Sequence, residues 1–280
     1  MELLRTVAEL QQRVRQQRAR GMSIGLVPTM GALHAGHASL IRAAAKDCQY
    51  VVVTLFVNPT QFGPNEDFAK YPRSFAADCE LAAKEGADAL FTPSVDEMYP
   101  EGATTFVEVE GLSGKLDGAS RQGHFRGVAT VVTKLLAAAQ PDRAYFGQKD
   151  AAQVAVLRRM ARDLCFGAEL VVCPIVRDAD GLALSSRNVY LTADERKQAL
   201  ALSRAVRRVE ALVAHGERRA EVLLATAKAS LAAEPNLKID YVELVNWATL
   251  EPVKTAEAGT LFAVAAWVGE TRLIDNAVVS

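Results

Sequence analysis

The chain has 280 residues, half of them hydrophobic, which is enough for one large domain and a smaller one beside it. Its 32 basic and 33 acidic residues leave a formal net charge of −1, a balance that speaks against general affinity for nucleic acid or an anionic membrane and leaves small molecules or other proteins as partners. Four widely spaced cysteines, Cys48, Cys79, Cys165 and Cys173, form no CxxC pair and read as buried free thiols, not as a zinc or redox centre.

The first twenty or so residues carry an arginine-rich helix pattern built on Val7, Leu10 and Val14, with Glu2 and Glu9 among the basic residues. No run reaches the ~18 apolar residues that span a bilayer, and the expectation is a cytoplasmic protein. Ser23 to Val27 reads as a short strand ended by Pro28, whereas Leu40, Ile41, Ala44 and Ala45 share one side of a helix. Between them lies Pro28-Thr29-Met30-Gly31-Ala32-Leu33-His34-Ala35-Gly36-His37. A strand, a glycine-bearing turn and a helix open a βαβ unit, whose helix start offers unpaired N–H groups and positive dipole potential to a phosphate. His34 and His37 can face one bound group there, each a donor and, when protonated, a cation. Taken alone the pair could also be scaffold or hold a metal. The other histidines, His124 and His215, are remote in sequence, and Gly31 and Gly36, beside Pro28 and Met30, let the backbone approach a ligand.

Tyr50 to Val57 is a nearly unbroken apolar run, the pattern of a strand covered on both faces. It feeds the polar loop Asn58 to Asn65 at the carboxyl end of the strand, where ligands of open α/β sheets bind. Asn58 and Gln61 either hydrogen-bond a substrate there or satisfy the turn's own backbone. A helix from Ser74 to Glu85 closed by Gly86 and a strand at Ala89 to Phe91 follow. Thr92 to Arg126 is irregular, with a strand expected at Thr105 to Val109, and Ser113 to Arg126, carrying Lys115, Arg121, His124 and Arg126, is a candidate cover. Neither P-loop spacing nor a GxGxxG occurs.

A helix over Val128 to Ala139 and a strand over Arg143 to Phe146 lead to Gly147-Gln148-Lys149-Asp150, then to a helix over Ala151 to Arg162 with Asp150 as its N-cap. Gly147 permits close approach and Lys149 offers a point charge to phosphate; the bland alternative is a capped helix with a solvated lysine. After a strand at Glu169 to Cys173, the segment from Val176 reaches Leu184-Ser185-Ser186-Arg187, two hydroxyls beside a guanidinium fork that suits a polyphosphate. A capping box at Thr192 to Glu195 opens a helix to about Ala214. Another helix follows at Arg218 to Ala232, then a strand at Ile239 to Leu244 and a hairpin of Thr260 to Val268 with Thr271 to Ile274. The fold expected is α/β: a Rossmann-like doubly wound parallel sheet over 1–178 with a smaller α+β C-terminal domain over 179–280.

PTMGALHAGH, FVNPTQF, GQKDAAQ and GLALSSRN, in this order and at this spacing over essentially the whole chain, resemble the pantothenate synthetase family, ATP-dependent ligases that join pantoate to β-alanine. HxGH by itself indicates only the wider nucleotidylyltransferase superfamily. The resemblance implies that Pro28 and the stretch Met30, Gly31, Ala32, Leu33, His34, Ala35, Gly36 and His37 contact ATP, with His37 as catalytic acid or proton donor and His34 assisting at the phosphates. It assigns Gln61 and Gln153, with Met30 and Asn58, to pantoate and β-alanine. Gly147, Gln148, Lys149 and Asp150 correspond to a nucleotide-binding segment with Lys149 on phosphate and Asp150 near ribose, and Val176, Leu184, Ser185, Ser186 and Arg187 complete the ATP site. Leu184 replaces the methionine of many members by a side chain of similar size. His34, His37, Lys149 and Arg187 are the catalytic candidates, Mg²⁺ is expected on the phosphates, its protein ligands unassigned, and the family is typically homodimeric.

Overall fold

A computed structural model describes residues 1–64 and 66–279; Asn65, the end of the polar loop expected from sequence, lies outside them. The larger sheet has six strands, all parallel, in the order β1-β4-β3-β2-β5-β6: β1 (Glu2–Leu4), β2 (Ile24–Thr29), β3 (Tyr50–Leu55), β4 (Ala89–Phe91), β5 (Arg143–Gly147) and β6 (Glu169–Cys173). The apolar runs of β2, β3 and β4 are buried because helices cover both faces. On one face lie α1 (Val7–Ala19), α6 (His124–Ala139) and α7 (Ala151–Asp163); on the other, α2 (Ala35–Asp47) and α3 (Phe75–Lys84). From β2 the chain winds outward through β3 and β4, then returns to place β5 on the other side of β2. The reversal makes the carboxyl ends of β2 and β5 the topological switch point, where a crevice opens.

The smaller sheet is antiparallel, β7 (Leu237–Asn246), β8 (Thr260–Val268) and β9 (Thr271–Val278) in that order. The helices α8 (Ala193–Ala214) and α9 (Ala220–Ala232) cover one face through Leu202, Val206, Leu223 and Leu231 against Phe262 and Val264. Val245, Leu261 and Ala263 belong instead to the core of the larger sheet, so the two layers share apolar surface.

Several sequence expectations shift. The extended chain at Thr105 to Val109 joins neither sheet, because Val107 donates its N–H to Thr130 Oγ1 of α6 at 2.9 Å and Arg126 stacks on the exposed Phe106 ring at 4.1 Å. α6 begins at His124, behind a left-handed Gly123, and Asp150 occupies the N-cap of α7 without a side-chain cap bond. Two short helices, α4 (Val95–Met98) and α5 (Asp117–Ser120), lie in the stretch read as irregular. Ala45 is exposed, and of the cysteines only Cys48 and Cys173 are buried; Cys165 is exposed.

Candidate active site

The turn after β2 is held from beneath by a group that no local motif announces. Asp78 of α3, 3% exposed, accepts from Ala32 N at 2.9 Å, Leu33 N at 2.8 Å and Ser74 Oγ at 3.0 Å. The turn needs such a clamp because Gly31 and Ala32 both have positive φ, +89° and +50°, a conformation unfavourable for alanine. His34 then caps α2: its Nδ1 accepts from Gly36 N at 3.1 Å, and His37 Nδ1 accepts from His34 N at 3.3 Å. The imidazoles lie 4.1 Å apart between centroids. A nitrogen that accepts a backbone N–H carries no proton, so this network assigns both rings as neutral with Nε2–H left as donor. Burial, with Lys149 nearby, lowers His34 to about 4; burial, with His34 and Lys149, lowers His37 to about 3. The same bonds consume two N–H groups of the helix start that sequence reasoning had left for phosphate.

His34, Gly36 and His37 form one wall of a cavity whose other walls are Gly147 at the end of β5 with Lys149 and Asp150 beyond it, and Val176 with Leu184 to Arg187 after β6. Three strand-to-helix junctions distant in sequence thus meet at the switch point. Gly31, Ala32, Leu33, Ala35 and Gln148, expected at the ATP site, are not among the residues lining this cavity; Ala32 O accepts from Ser186 Oγ at 3.2 Å. Arg187 is engaged by Asp67, bidentate at 2.9 and 2.8 Å. Burial raises the Asp67 carboxyl, but the hydrogen bonds and charge of Arg187 outweigh it and leave it below its ordinary range. No ion pair holds Lys149 among the described residues.

A second cavity adjoins the first, and Met30, His37, Tyr71, Asp150, Gln153 and Arg187 line both. Its floor is apolar, from Phe56, Val128, Val131, Val132 and Leu135, and its polar groups include Gln61 and Arg121. Gln61 sits in the turn Pro59–Gln61, which α6 approaches so closely that a Cβ at Gly127 would lie 2.2 Å from Thr60 O. Asn58 is 1% exposed and lies behind the cavity wall: its Nδ2 donates to Gln61 Oε1 and Gly127 O, both at 3.1 Å, and its Oδ1 accepts from Tyr99 at 2.9 Å. Its amide orients Gln61 and leaves little capacity for a ligand. In the candidate cover, Arg121 and His124 line this cavity, while Lys115 pairs with Glu251 and Arg126 with the Phe106 ring. His124 Nδ1 donates to Gln61 O at 2.8 Å and Nε2 accepts from Arg121 at 3.0 Å; burial, with Arg121, lowers this imidazole to about 4.

Asp67, Tyr71 and Asp78 escaped sequence reasoning because they lie within or after the polar loop at spacings that match no local motif. Gly127 left one signal, a glycine inside a helical apolar pattern.

A doubly wound parallel sheet with cavities at its switch point defines the class, an α/β protein whose ligands bind at the carboxyl ends of the strands. The chain belongs to the pantoate-beta-alanine ligase family, whose model matches residues 2–278. It is 59% identical to the pantothenate synthetase of Acidobacterium capsulatum, over 100% of this chain and 97% of that protein, and 57% identical to that of Koribacter versatilis, over 100% and 96%. The crystal structure of pantothenate synthetase from Thermus thermophilus superposes with a TM-score of 0.95 at 46% identity, covering 100% of this chain and 99% of that one. The pantoate-beta-alanine ligase of Francisella tularensis, complexed with beta-gamma ATP and beta-alanine, gives 0.81 at 32% identity, covering 99% and 97%. The chain is therefore an α/β ligase of this family, and no helix among the described residues is long and apolar enough to cross a membrane.

Proposed function

We propose that the protein condenses pantoate with β-alanine at the expense of ATP, through pantoyl-adenylate, releasing pyrophosphate and then AMP. The observation that carries this reading is the shared wall: a nucleotide in the first cavity and a small hydroxy acid in the second would meet between His37, Tyr71 and Gln153. The apolar floor suits a branched carbon skeleton, and Gln61 and Gln153 offer amides to its polar groups. The carboxylate of pantoate is already ionised near neutral pH and attacks the α-phosphorus without a base. The first step then asks the protein for charge stabilisation on the phosphoryl oxygens and the departing pyrophosphate. Lys149 and Arg187 supply charge, and the neutral Nε2–H groups of His34 and His37 supply donors. Mg²⁺ would accompany the ATP phosphates and add to the charge stabilisation there. In the second step the amine of β-alanine, once it has lost a proton, attacks the acyl carbon, the bond from that carbon to the phosphate oxygen breaks and AMP leaves. Positioning in the second cavity supplies much of the acceleration.

We also propose pantoate as the specific acid, a division into units 1–178 and 179–280, a homodimeric assembly on the family resemblance, and a cytoplasmic setting. The decisive test is a pyrophosphate-release assay with ATP, pantoate and β-alanine, omitting each in turn. Release that needs pantoate but not β-alanine supports the reading; an adenylyltransferase would give no β-alanine-dependent AMP, and a nucleotide-binding scaffold no pyrophosphate at all.

A further inference from the structure

The smaller sheet carries two consecutive buried polar residues on β9, Asp275 at 3% and Asn276 at 4% exposure. Successive strand residues face opposite sides, so each needs a partner in a different direction. Asp275 finds Arg177, bidentate at 2.6 and 2.9 Å. Asn276 faces the larger unit. Its Nδ2 donates to the carbonyls of Gln148 at 3.0 Å and Lys149 at 2.9 Å, and its Oδ1 accepts from Gln148 Nε2 at 3.2 Å. Both hydrogens of one amide are thus spent on consecutive carbonyls of the turn Gln148–Asp150. That turn has no side-chain cap of its own, and Gly147 before it touches nothing within 4 Å of where a Cβ would be. Beyond its own flanking strand and helix, the turn is held by a strand more than a hundred residues later in the chain.

We propose that Asn276 is a positioning residue for the nucleotide, holding the Lys149 turn where it meets the phosphates, an assignment that rests on ATP occupying the first cavity. Asn276 touches no substrate and acts through the backbone of Lys149. Its removal weakens nucleotide binding selectively, because Gln61, Arg121 and the second cavity take no support from it.

The test is calorimetric titration of an ATP analogue that cannot be cleaved between the α- and β-phosphates, and separately of pantoate, into wild type, Asn276→Ala, Asn276→Ser and Leu273→Ala. Asn276→Ala binds the analogue about tenfold more weakly, the effect of losing its three hydrogen bonds to the turn with a combined net worth of order 1.4 kcal/mol. Asn276→Ser, which keeps one donor, falls between it and wild type, and pantoate affinity stays within about twofold in both. Leu273, buried in the core on the opposite face of β9, reports general loosening of the strand: Leu273→Ala lowers the melting temperature and leaves analogue affinity unchanged. Unchanged analogue affinity in Asn276→Ser or Asn276→Ala overturns the proposal, and so does an equal loss in Leu273→Ala. If the alanine variant does not fold, the serine variant decides. A wild-type protein that binds no analogue refutes the reading of the first cavity instead, which separates the two failures.

Discussion

His34 donates its backbone N–H to Nδ1 of His37 at 3.3 Å, and this bond fixes which nitrogen of His37 is left to face the cavity. With Nδ1 committed as acceptor and the ring buried, His37 meets a nucleotide as a neutral Nε2–H donor. We propose that His37, a catalytic acid by family resemblance, acts through hydrogen bonding to developing phosphoryl charge.

His37→Ala then lowers pyrophosphate release by about 10²–10³-fold, the usual loss for one oxyanion donor. Glutamine places an amide N–H near the position of Nε2, and His37→Gln stays within about tenfold of wild type. In wild type the rate of the first step shows no imidazole ionisation between about pH 8 and 5.5. Single-turnover pyrophosphate release across that range is the measurement. A glutamine variant as slow as the alanine variant, with a kinetic pKa near 6.5, would restore the acid.

Burial of His34, His37 and His124 also sets the acid stability of the free protein. Their folded values of about 4, 3 and 4 lie below the 6.5 of an unfolded histidine, so between pH 6.5 and about 4 the unfolded chain binds more protons. The stability they contribute is complete above pH 6.5 and declines as pH falls toward 4. Urea midpoints at pH 7, 6 and 5 should fall in sequence, and His124→Asn, which removes one of the three groups, should flatten the decline. A midpoint constant from pH 7 to 5 would contradict it.

The strands β3 and β6 and the helix from Thr192 were legible because each rests on local chemistry: an apolar run, a bounded strand, a capping box. The three strand-to-helix junctions that line the first cavity were legible for the same reason. What stayed hidden depends on partners far away in the chain. β1 has three residues and becomes a strand by pairing with β4, and Asp78 and Asn276 act on turns more than forty and more than a hundred residues distant. The Thr105 to Val109 run failed in the opposite sense: its pattern is right for a strand, but Thr130 takes the Val107 N–H.

Gly127 shows how a packing residue reaches the second cavity. A methyl group there would meet Thr60 O at 2.2 Å and Gln61 Cα at 2.6 Å, and backbone cannot yield as a flexible side chain does. Gly127→Ala is expected to destabilise the fold by about 1–3 kcal/mol, typical of overpacking, despite the better helix propensity of alanine. It should raise the KM for pantoate more than that for ATP, because Gln61 moves and the Lys149 turn does not. Thermal melts and initial rates with each substrate varied are sufficient; equal changes in both KM values would detach Gly127 from the acid site.

Lys149 and Arg187 make the sharpest contrast among the cations. Arg187 starts in a bidentate pair with Asp67 and must exchange that partner to reach a phosphate, whereas Lys149 has no carboxylate partner among the described residues to leave. Exchange of one charge-assisted partner for another returns part of what it gains, so Arg187→Ala should lower pyrophosphate release less than Lys149→Ala, by about 10-fold against about 10²–10³-fold. Asp67→Asn weakens the competing contact and should lower the KM for ATP a few-fold in a chain that retains Arg187. Steady-state pyrophosphate release at varied ATP distinguishes these outcomes. An Asp67→Asn variant with raised ATP KM would mean that the carboxylate holds Arg187 in its working position instead of competing for it.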